Sequence, residues 1–414
     1  MHAVVAGAGV AGIFCAAALA AQGWEVTLLE RAKGPDQGLS YAPGFLCFSG
    51  LQNPLLYRGP HRAANPGEGA GFEATLLGRL RHRAFFAQTA SRSDNAERAR
   101  RLRLSERFGA WCSELLAASA LETGMKAEEP PELIELLTRD EAKLLEGVLP
   151  GIALIDKPQA LCAEPAIADD LPFDRAISVP GAGAFNAVYL SRLLLAKLLA
   201  KGASRFRTAY GEALSGIKTK DGALCAVTTS LGREIACEAA VLANGEEAAA
   251  LLSELGLKLP CAPVTGCTLT LEAEDEACLP AHPLFIPSKS LSIVREGRRL
   301  RACGKFFLGA RTEAEKKAEY NRLYDAALQA LVNCRPLAHS ARFWSARALL
   351  LPDGCPAAGP VRAVKGLAVS AAHGFHGLRS SAGAASIVAS ALSGRPGAVP
   401  RAFAQACSPE RFAF

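Results

Sequence analysis

Three glycines and an acid carry the first chemical signal. Residues 7–12 read Gly7-Ala8-Gly9-Val10-Ala11-Gly12, and Glu30 follows eighteen positions after the last of them. Gly7 permits a tight turn, Gly9 lets the backbone approach a pyrophosphate, and Gly12 lets a helix pack closely on a strand. The pyrophosphate would rest on the free N–H groups of a helix N-terminus. A carboxylate at 30 can accept both hydroxyls of a ribose and repels a 2′-phosphate, which argues against NADP; FAD and NAD stay open. The second signal is Arg347, a lone cation in the apolar run FWSARALLLPDGCPAAGP (343–360). Desolvating a guanidinium is costly unless it meets an anion. Other chemistries leave no trace. The thirteen cysteines contain no CxxC or CxH pairing that would close a zinc site. Neither a Ser/His/Asp set nor a carboxylate pair for hydrolysis stands out.

Apolar spacing supplies the elements that must position these groups. A strand over 3–6, an Ala-rich helix over 13–22 stopped by Gly23, and a strand over 25–30 flank the glycine turn. That full context makes the fingerprint specific. A Pro/Gly-rich stretch (39–69) follows, where an NAD dehydrogenase would continue with further βα units. Later, 187–206 reads as an apolar-periodic helix with a Lys-Gly stop. Residues 213–260 form a three-strand meander, turning at Lys220-Asp221-Gly222 and Leu231-Gly232. It ends in a strand over 239–242, followed by Ala243-Asn244-Gly245 and a helix. Alternating patterns over 265–310, such as 267–271 and 291–294, suit an antiparallel sheet, and a helix begins at about Glu313. Residues 369–377 form a strand and a glycine turn, and an Ala/Ser-rich helix over 378–393 closes at Gly394.

At this point the chain resembles a known family. The fingerprint, VLANGEEAAALL (241–252), PVTGCTLTL (263–271), 343–360 and VSAAHGFHGLRSSAGAASIVASALSG (369–394) keep the order and spacing of flavin-dependent amine oxidoreductases over essentially the full length. These include the small subunit of D-amino acid dehydrogenase and the glycine/sarcosine oxidases. The resemblance implies an α/β two-dinucleotide-binding-fold flavoprotein. Its discontinuous, Rossmann-like FAD-binding domain would span 1–45, 155–264 and 346–414. An α+β substrate domain with an antiparallel sheet would span 46–154 and 265–345. FAD would contact Gly7, Ala8, Gly9, Val10, Ala11, Gly12, Glu30, Arg31, Ala243, Asn244 and Gly245. The isoalloxazine would lie against His373, Gly374, Phe375, His376, Gly377 and Leu378. Arg347 would grip a substrate carboxylate through a bidentate pair, with Tyr41, Tyr57 and Arg58 on the pocket wall.

The implied reaction is oxidation of the Cα–N bond of a D-amino acid or related amine. Hydride passes to flavin N5, and the resulting imine hydrolyses to a 2-oxo acid and ammonia, with no protein base required. The same blocks also allow a glycine/sarcosine-type oxidase, an FAD oxidoreductase acting on a tRNA uridine, or a flavin-binding partner protein without turnover. Two departures stand out. The loop Leu39-Ser40-Tyr41-Ala42-Pro43-Gly44-Phe45 lacks the Asn and Gln usual in the family, and Ala348 stands where a proline usually follows the arginine.

Bulk properties fit this reading. A chain of 414 residues is expected to form two domains. A net charge of +6 suits an acidic substrate or an anionic membrane surface and does not by itself indicate nucleic-acid binding. Residues 79–107 carry nine arginines against three acids, read as a solvated helix face or a docking face. Leu104, Phe108, Trp111 and Leu115 keep helical spacing and read as core. Cysteines at 15, 225 and 237 read as small buried thiols in a reducing cytoplasm. A quinone or respiratory-chain acceptor, and a peripheral contact with the inner membrane, are partners the resemblance allows.

Overall fold

The computed structural model describes residues 1–41, 46–47, 72–90, 95–125, 132–149, 151–179, 183–184, 186–202, 205–374, 377–395 and 399–412. Tyr57, Arg58, Phe375 and His376 lie outside these residues. Among those described, six strands form one sheet in the order Ala357–Pro360, Leu367–Ala371, Ala239–Leu242, His2–Ala6, Glu25–Glu30 and Phe206–Tyr210. The neighbours pair in parallel, except the outermost Ala357–Pro360. This explains the near-continuous apolar run of Ala3-Val4-Val5-Ala6: helices and loops cover a parallel sheet on both faces. The helices Val10–Ala21, Ala187–Ala200 and Gly377–Leu392 pack on one face in a common core. The meander forms its own three-stranded sheet from Leu214–Lys220, Ala223–Thr229 and Glu234–Ala236, and Cys225, expected in the core, is exposed there.

Among the described residues the second sheet has ten strands. At its centre, Ala262–Glu272 pairs with both Arg299–Cys303 and Arg342–Leu350, and Leu291–Glu296 extends the antiparallel run. Helix Glu313–Gln329 covers one face of it, burying Leu323, Ala326 and Ala327 against Leu269, Leu271, Ile293 and Leu300.

Two expected boundaries move. Residues 155–179 were expected in the dinucleotide unit. Instead Ile155–Asp156 and Arg175–Val179 pair alongside Leu133–Leu137 in the ten-stranded sheet. Conversely, helix Asn95–Thr123 falls within a span expected in the substrate unit, yet it packs on helices Gly377–Leu392 and Ala187–Ala200. Two glycines make that approach possible. A Cβ on Gly383 would lie 2.4 Å from Cys112 Sγ, and one on Gly109 would lie 2.5 Å from the Arg379 guanidinium carbon. Phe108 is buried, and Leu104, Trp111 and Leu115 are partly buried beside it, so the helical stripe faces the core. Arg100 and Arg101 both pair with Glu97 on this helix. Among the described residues, no helix is long and apolar enough to cross a membrane.

Candidate active site

A continuous cavity of about 600 Å³ runs from the glycine turn to the face of the ten-stranded sheet, within the size range of cofactor sites. At the first end the backbone does the shaping. Gly7 adopts φ +98°, and a Cβ there would sit 2.5 Å from Ala243 O. A Cβ on Gly12 would meet Gly7 O at 1.8 Å, so no other residue fits without moving the main chain. Helix Val10–Ala21 starts at this turn with Gly9 as its N-cap, and Val10 N donates to Ser40 Oγ at 3.1 Å. Gly7, Gly9, Val10 and Ala11 line the cavity.

Glu30 ends the second strand and is held on both oxygens: Ala8 N donates to Oε2 at 2.7 Å, and Ala32 N donates to Oε1 at 2.9 Å. That fixes the carboxylate at the cavity wall while leaving lone pairs for further donors. Arg31 lines the cavity too and, largely exposed, pairs with Glu247 at 2.6 Å. Ala243, Asn244 and Gly245 line the opposite wall. Asn244 Oδ1 is a buried acceptor with no donor among the described residues; such atoms are rare and need a partner. The glycine cradle, the fixed carboxylate and this orphaned acceptor together fit a dinucleotide.

Beneath Glu30, Asp36 is fully buried, its N–H donating to Ala8 O at 3.0 Å. Ser191 Oγ donates to Asp36 Oδ2 at 3.3 Å, and Arg192 Nε lies 3.5 Å away. Burial pushes the Asp36 carboxyl up to about 6, against the opposing pull of the Arg192 charge.

At the middle of the cavity, Gly374 has φ +56°, and a Cβ there would strike Leu350 Cδ2 at 2.7 Å. Gly377 and Leu378 line the wall where helix Gly377–Leu392 begins. His373 lines it too, but both ring nitrogens have protein partners: Ser380 Oγ at 2.8 Å from Nδ1 and Ser370 Oγ at 3.2 Å from Nε2. Burial pushes its pKa down to about 4, so the ring is neutral at physiological pH. The geometry therefore gives His373 an anchoring task between strand and helix.

The sheet end is built from side chains. Directly opposed residues of antiparallel strands point to the same face. The register Trp344↔Thr268↔Cys303↔Ser292↔Phe285 thus places five neighbouring side chains on one face, and all five residues line the cavity. Thr268 Oγ1 and Cys303 Sγ lie 3.4 Å apart. The Tyr41 ring, half-exposed, packs on Trp344 with centroids 4.5 Å apart. Trp344 Nε1 is buried and has no acceptor among the described residues.

Arg347 does not sit as a buried lone cation. Its side chain is 49% exposed, and it pairs with Glu246 Oε1 at 2.8 Å. Register places it opposite Thr265, on the alternate face of the strand from Trp344. The acid of the neighbouring Pro-Asp-Gly turn is also taken: Arg411 Nε and Nη2 donate to Asp353 at 2.7 and 3.0 Å. Arg347 nevertheless lines the cavity, whereas Arg301, opposite Thr270 and two residues from Cys303, is buried and is not among the lining residues.

Comparison with known proteins agrees with this geometry. The family of FAD dependent oxidoreductases (DAO) matches residues 2–391. D-amino acid dehydrogenase of Methylobacterium nodulans is 26% identical over 408 residues, covering 95% of this chain and 96% of the relative. That of Methylobacterium sp. strain 4-46 is 28% identical over 412 residues, with the same coverage. Among solved structures, glycine oxidase from Geobacillus kaustophilus superposes with a TM-score of 0.71 at 21% identity, covering 100% of this chain and 99% of its own. L-amino acid deaminase from Proteus vulgaris gives 0.66 at 16% identity, covering 99% and 93%. The chain belongs to the DAO family of FAD-dependent oxidoreductases.

Proposed function

We propose that this protein oxidises the Cα–N bond of an amino acid, with a D-amino acid as the first expectation. The observation that carries the reading is the continuous cavity, which joins the dinucleotide turn to a sheet face bearing Trp344, Thr268, Cys303 and Ser292. When bound, FAD supplies the two-electron acceptor that no side chain here can provide. The chain's own residues bind and orient. Glu30 and Asn244 are suited to the nucleotide's hydroxyl and amine donors, and the Val10 end of the helix to its phosphates. Gly374 and Gly377 leave room for a ring at the backbone. The sheet face then closes the other side of the substrate, and its apolar and hydroxyl groups exclude bulk water. Positioning of a neutral amine is the demand on the protein. The D-amino acid dehydrogenase names of the relatives favour that substrate class.

The test is anaerobic titration of the purified flavoprotein with D-amino acids, glycine, sarcosine and L-proline, followed by the flavin spectrum. Bleaching by D-amino acids without peroxide formation in air supports a dehydrogenase. Peroxide supports an oxidase, the reading favoured by the glycine oxidase fold. A flavin that stays oxidised with every amine would overturn the proposal.

A further inference from the structure

We infer that Thr268, Cys303 and Ser292, walled by Trp344 and Phe285, receive the side chain of the substrate and select a neutral one ending in a hydroxyl or a carboxamide. This rests on the amino acid reading above. Three observations converge. The first is shape. The register carries the row across five strands, and its three middle members are small while its two ends are aromatic. Neighbouring strands lie about 4.8 Å apart, so the middle positions span roughly 10 Å, room for a short side chain. The Tyr41 ring, packed on Trp344, thickens one wall.

The second is polarity at buried positions. On the opposite face of the same strands, Leu269, Leu271, Ile293 and Ala302 make an apolar core with helix Glu313–Gln329. Toward the cavity, Thr268 and Ser292 are 7% and 3% exposed, yet both carry hydroxyls. Cys303 links them: its Sγ lies 3.4 Å from Thr268 Oγ1, and the Ser292 side chain hydrogen-bonds it as well. A hydroxyl offers one donor and two acceptor sites, so each end of this short chain keeps capacity for a ligand. At the wall, the Trp344 indole Nε1–H is buried without an acceptor among the described residues, and a buried donor of that kind calls for a partner. An apolar side chain would leave these groups unanswered; a hydroxyl or a carboxamide can answer them.

The third is charge. Among the described residues that line the cavity, the charged ones are Glu30, Arg31, Glu246, Glu247 and Arg347. Glu30 is held by two backbone N–H groups, and the other four form two ion pairs. None belongs to the row. Arg301 flanks the row without lining the cavity, and its Nη2 lies 3.5 Å from Glu296 Oε2. A charged side chain would give up its hydration there without a counter-charge on the row, a far larger loss than for a neutral polar group.

The experiment uses the flavin-loaded enzyme and the amino acid enantiomers that reduce it, compared as near-isosteric pairs. Threonine against valine exchanges a hydroxyl for a methyl, asparagine against leucine exchanges a carboxamide for a branched alkyl group, and asparagine against aspartate removes a charge. The neutral polar member of each pair should have the higher kcat/KM for flavin reduction, by about 10–100-fold, the range for one or two buried hydrogen bonds made or left unmade. Thr268→Val, Ser292→Ala and Trp344→Phe should each lower the preference for the polar member by about 10-fold, with flavin content as in the wild type. A merely structural role for these residues would slow both members of a pair alike, and that outcome overturns the inference. So does a wild type that oxidises valine, leucine or aspartate as fast as its polar counterpart, a comparison that decides alone if a variant loses flavin. A wild type reduced by no amino acid at all brings down the functional reading instead.

Discussion

At one end of the cavity, Gly7 and Gly12 bring main chain against main chain so closely that an added Cβ would lie 2.5 and 1.8 Å from a carbonyl oxygen. At the other end, Trp344, Thr268, Cys303 and Ser292 present side chains from four different strands. The first end recognises by backbone N–H groups and one fixed carboxylate, so its tolerance is set by atoms that cannot be substituted around. The second recognises by side chains that are exchangeable in place. A fold that binds one cofactor and serves many substrates needs this division, because the cofactor's phosphates are constant while the substrate is not.

The sharpest way to break the contrast is at the backbone end. Gly12→Ala should abolish flavin uptake, an effect on the order of 100-fold or more, since strain in the turn cannot relax through a rotamer. The flavin absorbance per mole of purified protein measures it, and normal loading would show that the cradle is softer than its geometry.

A smaller effect is expected just beneath that end. Asp36 has its pKa raised to about 6 by burial, above the usual carboxylate value of about 3.9. The folded state therefore binds the proton more tightly, and the group lowers stability as pH rises from about 4 to 6. Asp36→Asn should stabilise the protein at pH 7 by about 1–3 kcal/mol, and that gain should vanish near pH 4. Asparagine also tolerates the left-handed φ of +57° at this position. His373 works in the opposite direction. Its lowered pKa of about 4 means stability falls as pH drops from about 6.5 to 4, because only the unfolded chain takes up the proton. The wild type should thus show a shallow pH dependence over this range, and Asp36→Asn a steeper acid loss. Urea unfolding at several pH values reads both.

The smallest effect is expected at Arg347. The side chains of its pair with Glu246 are 49% and 32% exposed, and such pairs contribute about 0.2–1 kcal/mol. A double-mutant cycle of Arg347→Gln and Glu246→Gln should give a coupling energy in that range by thermal or urea unfolding. A coupling several-fold larger would mean that the lip of the cavity is held more tightly than its exposure indicates.

The two ends were also unequally legible. The glycine turn, its strands, its helix and Glu30 could all be placed from sequence, because each function there depends on local spacing along one stretch of chain. The helix Gly377–Leu392, with its preceding turn, and the meander were legible for the same reason. Arg347 attracted attention as a lone cation among apolar neighbours, yet its partner lies about a hundred residues away at Glu246, and no local pattern announces that pair.

Composition and local spacing by themselves determined the dinucleotide chemistry, the alternation of elements and the presence of an antiparallel sheet, since turns, helix starts and strand alternation act over a few residues. Tertiary structure alone decided that Arg347 pairs with Glu246 at the cavity, that Ile155–Asp156 and Arg175–Val179 join the second sheet, and that helix Asn95–Thr123 packs on the first unit. The physical reason is register. Along a strand the side chains alternate strictly, and a shift of one residue exchanges the two faces, so only the pairing of distant strands brings Trp344, Thr268, Cys303 and Ser292 to one face.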